Sequence, residues 1–150
     1  MTDSVTDPVT AQAADRPAPL LRLLAAMVYD SLPVLGLWMI TLLVLIIFNE
    51  GGAVYGYRVQ TVLFLELYGY FALSWVRNRQ TLGMRAWKLW ITSDRERLSF
   101  DQATFRFAGA TLSWLTLGLG YLWRYVNADR RTWPDLFSGT LIVHRPQSTD

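Results

Sequence analysis

The chain has 150 residues and a formal net charge of +2; 52% of the residues are hydrophobic and only 17% are charged, whereas soluble domains are typically about one quarter charged. It contains no cysteine and one histidine, His144, which excludes disulfides, thiolate chemistry and multi-histidine metal sites. Since there is also no phosphate-binding loop, dinucleotide motif or nucleophile elbow, the sequence predicts a membrane-embedded domain that is not an enzyme and needs no metal or cofactor.

The first predicted element is a disordered tail, residues 1–19, which is rich in Thr, Ala, Asp and Pro and has no apolar periodicity. A helix follows, because residues 31–48 form an uncharged apolar run of the length that a membrane span requires, about 18 residues. Extended towards the tail, this helix includes Arg22 and Asp30. The polar residues 49–52 are predicted to end it.

A second membrane-spanning helix is predicted at residues 57–76, which contain one internal acid, Glu66. The next stretch, residues 77–106, is dense in Arg and Lys, so the positive-inside rule places it in the cytoplasm. The segment that joins the two helices, counted as residues 49–60 to include the start of the second helix, holds a single cation, Arg58. We therefore expect this loop outside and the N-terminus inside.

The basic stretch combines cations with aromatic residues, which favours contact with anionic lipid headgroups. The side chains expected to make this contact are those of Arg77, Arg79, Arg85, Trp87, Lys88 and Trp90. Ordinary positive-inside charge is the alternative interpretation of the same cations. Nucleic-acid binding is not expected, because no recognised nucleic-acid motif accompanies them.

Two short strands are predicted on the cytoplasmic side of the protein. Residues 87–92 alternate with the period of two that is typical of a strand, and residues 140–144 are strand-like as well. If the apolar segment between them returns to the inner face, the two strands can pair and satisfy each other's backbone groups. Between them, Ser99 and Gln102 have the spacing of a capping box, which predicts a helix from about Phe100.

The third apolar segment, residues 107–123, permits two topologies. Its length is barely enough to cross a hydrocarbon core of about 30 Å. A full crossing would place the Arg-rich segment that follows it on the outer side, against the positive-inside rule. Alternatively, Gly118 and Gly120 bend the chain into a re-entrant or interfacial hairpin that returns to the inner face.

Three segments carry a more specific signal: LLRLLAAMVYD at residues 20–30, TLGMRAWKL at 81–89 and RTWPDLFSGTLIV at 131–143. In order and spacing they resemble the RDD family of small bacterial membrane proteins, which is named for one arginine and two aspartates. The resemblance implies that Arg22 is the family's arginine and that the aspartates of the first and third segments, Asp30 and Asp135, are its acids. It suggests transport but names no substrate.

Together these elements predict an all-α membrane protein. It has two transmembrane helices and a third apolar segment, either a re-entrant or interfacial hairpin or a third span, with a short two-stranded β pairing in the cytoplasm. The RDD-like membrane domain is expected to cover residues 20–146, between disordered tails at residues 1–19 and 147–150.

Four ionisable residues are candidates for function. One interpretation of Arg22 is that its side chain reaches the cytoplasmic interface. Asp30 lies roughly 15 Å along its helix, where an acid is costly, so Asp30 is a functional candidate by default. Glu66 is expected at a similar depth, where it shares a proton or a cation with Asp30, bonds to a neighbour such as Tyr68 or Tyr70, or faces a partner subunit. Asp135 is expected to pair with Arg22, to cap a short helix, or to do both.

Two functions of different classes fit these residues. The first is small-solute or ion transport by an oligomer in which Asp30 is the proton or cation site. The second is a non-catalytic membrane scaffold or accessory protein in which Arg22, Asp30 and Asp135 form a structural polar cluster. In either case we expect a multi-pass protein of the bacterial cytoplasmic membrane, surrounded by lipid and in contact with its own copies or with another membrane protein.

Overall fold

Two long apolar helices dominate the protein, for which a computed structural model describes residues 16–50, 52–94 and 97–144. Helix α1 spans Leu20–Phe48 and helix α2 spans Tyr57–Asn78, and both are long and apolar enough to cross a membrane. The helices predicted from the apolar runs are therefore confirmed. Helix α2 ends at Arg79, whose left-handed backbone (φ 54°) lets its N–H bond to the Trp75 carbonyl at 2.9 Å.

A small antiparallel sheet lies beside one end of this helical pair. Its strands are β1 (Arg16–Pro17), β2 (Leu89–Ser93) and β3 (Thr140–His144), in the spatial order β1-β3-β2. Strands β2 and β3 pair in a register that sets Ile91 opposite Ile142, which confirms the predicted pairing of these two segments.

Strand β1 was not expected, because the sequence indicated a disordered tail as far as residue 19. Residues 16–17 pair instead with the end of β3, and Ala18 is fully buried behind them. The ordered structure thus begins before α1. The remainder of the predicted tails, residues 1–15 and 147–150, lies outside the described residues, as does the end of the predicted domain, 145–146.

The short helix α3 (Leu82–Ala86) follows α2 and packs against α1. Helix α4 (Phe100–Leu115) begins with the predicted capping box, in which Ser99 and Gln102 bond to each other's backbone N–H groups at 3.3 Å. This prediction is confirmed.

The predicted third apolar segment is not one continuous helix. Helix α4 ends at Thr116, and Gly118 has a positive φ of 87° while its N–H bonds to the Ser113 carbonyl at 2.7 Å. A short helix α5 (Leu119–Leu122) and a 3-10 turn (Trp123–Tyr125) follow. The chain then returns along α4 as helix α6 (Trp133–Ser138) before entering β3.

Candidate functional site

The first candidate site surrounds Asp30, which lies in α1 and is only 3% exposed. One of its carboxylate oxygens accepts hydrogen bonds from the Tyr70 hydroxyl and the Gly83 N–H, both at 2.8 Å. The other oxygen accepts from the Thr81 hydroxyl at 2.5 Å. Asp30 therefore joins α1 to α2 and to the beginning of α3.

The local sequence around α3 explains how these donors reach Asp30. Thr81 is the N-cap of α3, and its hydroxyl oxygen accepts from the Met84 N–H at 3.2 Å while the hydroxyl itself donates to Asp30. Gly83 allows the close approach, because a Cβ at this position would overlap the Ala26 carbonyl oxygen and lie 2.9 Å from the Asp30 Cγ.

The second candidate site is a buried ion pair between Arg106 of α4 and Asp135 of α6. Their side chains are 3% and 4% exposed, and Nη1 of the arginine lies 2.8 Å from one carboxylate oxygen. The same Nη1 donates to the Thr140 hydroxyl at 2.5 Å, and the guanidinium lies 5.5 Å from the ring centre of Trp75. The second oxygen of Asp135 accepts from the Thr132 N–H at 3.2 Å and from its hydroxyl at 2.7 Å.

These contacts separate the two roles that the sequence allowed for Asp135. Its bonds to Thr132 at the start of α6 confirm that it caps a short helix. The predicted pairing with Arg22 is wrong, because Asp135 is paired with Arg106 instead. The physical reason is topological: α6 packs along α4, whereas Arg22 lies in the first turn of α1, beside the sheet.

The guanidinium of Arg22 donates a hydrogen bond to Nε2 of His144 at the end of β3. An imidazole nitrogen that accepts this bond carries no proton, so the contact requires a neutral ring with its proton on Nδ1. The signature residues Arg22, Asp30 and Asp135 therefore do not form a single cluster. Within the described residues, each has a different set of partners.

The Arg22–His144 contact predicts a loss of stability in mild acid. Partial burial, then the charges of Arg22 and Lys88, lower the pKa of His144 from its ordinary value of 6.5. The unfolded chain therefore binds this proton more readily, so the free energy of unfolding should fall as the pH drops below about 6.5. The melting temperature in detergent at pH 7.5 and pH 5.5 measures the effect.

The matched variant for this measurement is His144→Gln, which removes the chain's only histidine. It should show a smaller loss of melting temperature between the two pH values than the wild type. An identical loss in both proteins would contradict a role for His144.

Glu66 of α2 lies apart from the bonds made by Asp30. One of its oxygens accepts from the Thr41 hydroxyl of α1 at 2.5 Å. The other is buried and has no hydrogen-bond partner among the described residues. Glu66 is thus bonded to Thr41 and not to Tyr70. Within the described part of the chain, there is no hydrogen bond between Glu66 and Asp30.

The basic residues predicted to meet lipid headgroups are largely brought together. One open groove of about 1600 Å³ lies next to the end of α2, α3 and the start of β2. Of the six expected residues, five line it: Arg77, Arg79, Arg85, Lys88 and Trp90. Trp87 does not line the groove, although its side chain is 39% exposed.

A separate, mostly apolar cavity of about 450 Å³ lies between α1, α2 and α4. Its polar wall includes Asp30 and Thr81 from the first site and Arg106 and Thr132 from the second. The two candidate sites therefore line one common cavity.

The sequence and the fold of this chain can be compared with those of known proteins. The RDD family model matches residues 16–139, which is most of the chain. The chain belongs to the RDD family. This confirms the resemblance seen in the three sequence segments. The comparisons with curated proteins and with solved structures found no match.

The three RDD segments contain some of the residues that form the two candidate sites, but not all of them. Thr81 and Gly83, which bond to Asp30, lie in the second segment, but the sequence did not reveal their role. Arg106 was counted among the cations of the basic stretch, and the structure shows that it is buried. Its position four residues beyond Gln102 on a capped helix was the available signal, since residues at this spacing share a helix face.

Proposed function

We propose that this RDD-family chain is a non-catalytic integral membrane protein, a scaffold or accessory protein whose buried polar residues hold its loops against its helices. The observation that carries the proposal is the environment of Asp30, where three donors occupy both carboxylate oxygens. An acid bonded in this way is suited to join elements, as buried polar groups generally are when fully satisfied. The Arg106–Asp135 pair joins α4 to α6 in the same manner.

Insertion into a bilayer is supported by the surface of the long helices. Only 6% and 11% of the most apolar windows of α1 and α2 are buried within the protein. Large side chains on this surface, such as Met39, Ile47 and Phe48, are 71%, 66% and 84% exposed. Soluble monomers rarely expose apolar surface on this scale, whereas a lipid environment favours it.

The sheet supports a hairpin for the third apolar segment. Strand β2 precedes this segment and β3 follows it, and the two strands pair along their whole length. Paired strands lie on the same side of a membrane, so the segment between them returns to the side from which it entered. Since β1 joins the same sheet, the start of α1 lies on that side too. By the positive-inside rule, the basic residues support the proposal that this side is the cytoplasmic side of a bacterial membrane.

Cysteine labelling in intact cells tests this topology, and the chain contributes no cysteine of its own. Ala53→Cys, between α1 and α2, should react with an impermeant external thiol reagent. Asp94→Cys and Asp129→Cys, which flank the third apolar segment, should react only after the membrane is permeabilised. External labelling at position 129 with protection at position 94 would contradict the hairpin and establish a third crossing.

Contact of the cytoplasmic face with anionic headgroups is part of the same proposal. The groove lined by Arg77, Arg85 and Lys88 gathers cations at the end of α2, where the helix would leave the bilayer. Trp90 in the same groove adds an aromatic side chain suited to an interface.

One observation favours a second candidate function, coupled ion or proton transport by an oligomer. The buried oxygen of Glu66 without a hydrogen-bond partner is a position that a proton or a cation would satisfy. Two crossings are too few to enclose a pathway in one subunit, so this candidate requires contact between copies of the chain.

Flux into proteoliposomes separates the two candidates. A scaffold should show proton and cation flux no greater than that of protein-free vesicles, in the wild type and in Glu66→Gln alike. The matched control is Glu50→Gln, which alters an exposed acid at the end of α1. Flux that is present in the wild type and in the control but absent in Glu66→Gln would overturn the scaffold proposal and establish transport.

A further inference from the structure

The 450 Å³ cavity between α1, α2 and α4 has the size and the lining of a small-molecule site. Ligand pockets are typically about 300 to 1,000 Å³ and are mainly apolar, with a few polar groups that fix orientation. Here the apolar wall includes Met27, Leu67, Phe71 and Phe107. Neither candidate function described above accounts for this space.

Two hydrogen-bond donors in the cavity wall lack partners among the described residues. They are the indole N–H of Trp75 and the hydroxyl of Tyr121, whose residues are 6% and 5% exposed. Buried donors are almost always bonded, so two at one place call for an explanation. The first of them lies near Arg106, whose guanidinium is 5.5 Å from the Trp75 ring.

The charged groups around the cavity already have partners within the protein. Arg106 is paired with Asp135, and both carboxylate oxygens of Asp30 accept hydrogen bonds from neutral donors. A ligand that brought a further charge would have to be desolvated at a place where these groups are already bonded. The unpartnered donors therefore favour an uncharged acceptor, of which a carbonyl oxygen is the simplest.

The cavity opens at the apolar surface of the helices. Leu35, Phe64 and Trp114 belong to its lining and are also 50%, 51% and 67% exposed. If the helices lie in a bilayer, as in the proposed function on which this step rests, the opening faces lipid chains.

We propose that this cavity binds the acyl chain of an uncharged acyl ester. The chain occupies the apolar part of the cavity, and the ester carbonyl accepts hydrogen bonds from Trp75 and Tyr121. The same chemistry is present in the tails of a bilayer glycerolipid and in a single-chain fatty-acyl ester, so the experiment must distinguish these two sources.

Photo-crosslinking in proteoliposomes tests the proposal. The vesicles contain phosphatidylcholine and a trace of one of two probes: phosphatidylcholine with a diazirine in its acyl chain, or a diazirine-bearing fatty-acid methyl ester. Crosslinks are mapped to the cavity residues Phe71 and Phe107 and to Met39, which is exposed on α1. The ratio of cavity to surface crosslinks is expected to be high for at least one probe, which identifies the source.

Variants that lack the two donors sharpen the test. The double change Trp75→Phe with Tyr121→Phe should lower the cavity crosslinks by about tenfold, the loss expected for two neutral hydrogen bonds, and leave crosslinks at Met39 unchanged. Tyr125→Phe is the matched control, because Tyr125 is 71% exposed and outside the cavity lining. Ala110→Trp, which fills the cavity from its wall, should abolish the cavity crosslinks.

A second measurement does not depend on crosslinking. Methyl oleate added to detergent-solubilised protein should raise the melting temperature of the wild type and of Tyr125→Phe, but not of the double variant or of Ala110→Trp. Tyr121→Phe alone removes only a hydroxyl that has no partner among the described residues, so it should fold as stably as the wild type without ligand. The double variant also loses the Trp75 indole beside Arg106, so its ligand-induced shift is measured from its own melting temperature without ligand.

The failures of the two proposals are distinguishable. Crosslinks at Met39 without crosslinks in the cavity, or cavity crosslinks that persist in Ala110→Trp, would overturn the acyl-ester site and leave membrane insertion intact. Crosslinks at neither place for either probe would overturn both the site and membrane insertion.

Discussion

Replacing Arg106 by methionine is expected to lower the free energy of unfolding by about 3 to 5 kcal/mol, the cost of breaking a buried ion pair from one side. The reason is that the Asp135 carboxylate would remain buried without its cation. Asp135→Asn should be costly for the reciprocal reason, since Arg106 would keep its charge at a position that is 3% exposed. Unfolding in detergent, followed by temperature or denaturant, measures both losses.

The double variant Arg106→Met with Asp135→Asn should lose less than the sum of the two single changes, because neither buried charge is then left alone. Arg97→Met provides the matched control, since Arg97 is exposed and its replacement should change stability by no more than about 0.5 kcal/mol. Strict additivity of the two single losses would show that the pair is not coupled.

Replacing Asp30 by leucine is expected to cost about 3 kcal/mol, roughly 1 kcal/mol for each of the three donors that it leaves unsatisfied. Asp30→Asn should be much milder, at under about 1.5 kcal/mol. An asparagine keeps one carbonyl oxygen for Tyr70 and Gly83, and the Thr81 hydroxyl can turn to accept from the new amide. Thermal unfolding of both variants measures the difference.

The control for this pair is Asp129→Leu, which replaces an acid in an exposed loop and should leave the melting temperature nearly unchanged. Equal losses in Asp30→Asn and Asp30→Leu would show that the negative charge itself is needed. A structural link between helices does not require that charge, so this result would favour transport. The flux measurement would then be repeated on Asp30→Asn.

Local signals in the sequence predicted most of the elements. The apolar runs located α1 and α2, the Ser99 to Gln102 spacing located the start of α4, and Gly118 marked the turn after it. Each of these depends on residues close together in sequence, where propensity and capping act. The pairing of β2 with β3 could also be predicted, because two short strands on one side have few other partners.

The candidate site depended on contacts that no local pattern encodes. The partner of Asp135 is Arg106, twenty-nine residues away, and a count of cations could not show that this arginine points inward while its neighbours stay exposed. Similarly, Asp30 was recognised as a costly acid, but its donors lie on two other elements. The family resemblance supplied the identities of three residues and said nothing about which of them meet.

The central place of β3 in the sheet has a consequence for biosynthesis. Both β1, which precedes the first apolar helix, and β2, which precedes α4, take their backbone partners from this one strand. Since β3 leaves the ribosome after every other described element, neither edge strand can pair until β3 has been synthesised. The apolar helices would enter the bilayer while their ends beside the sheet were still unconnected, and the arrival of β3 would then join them.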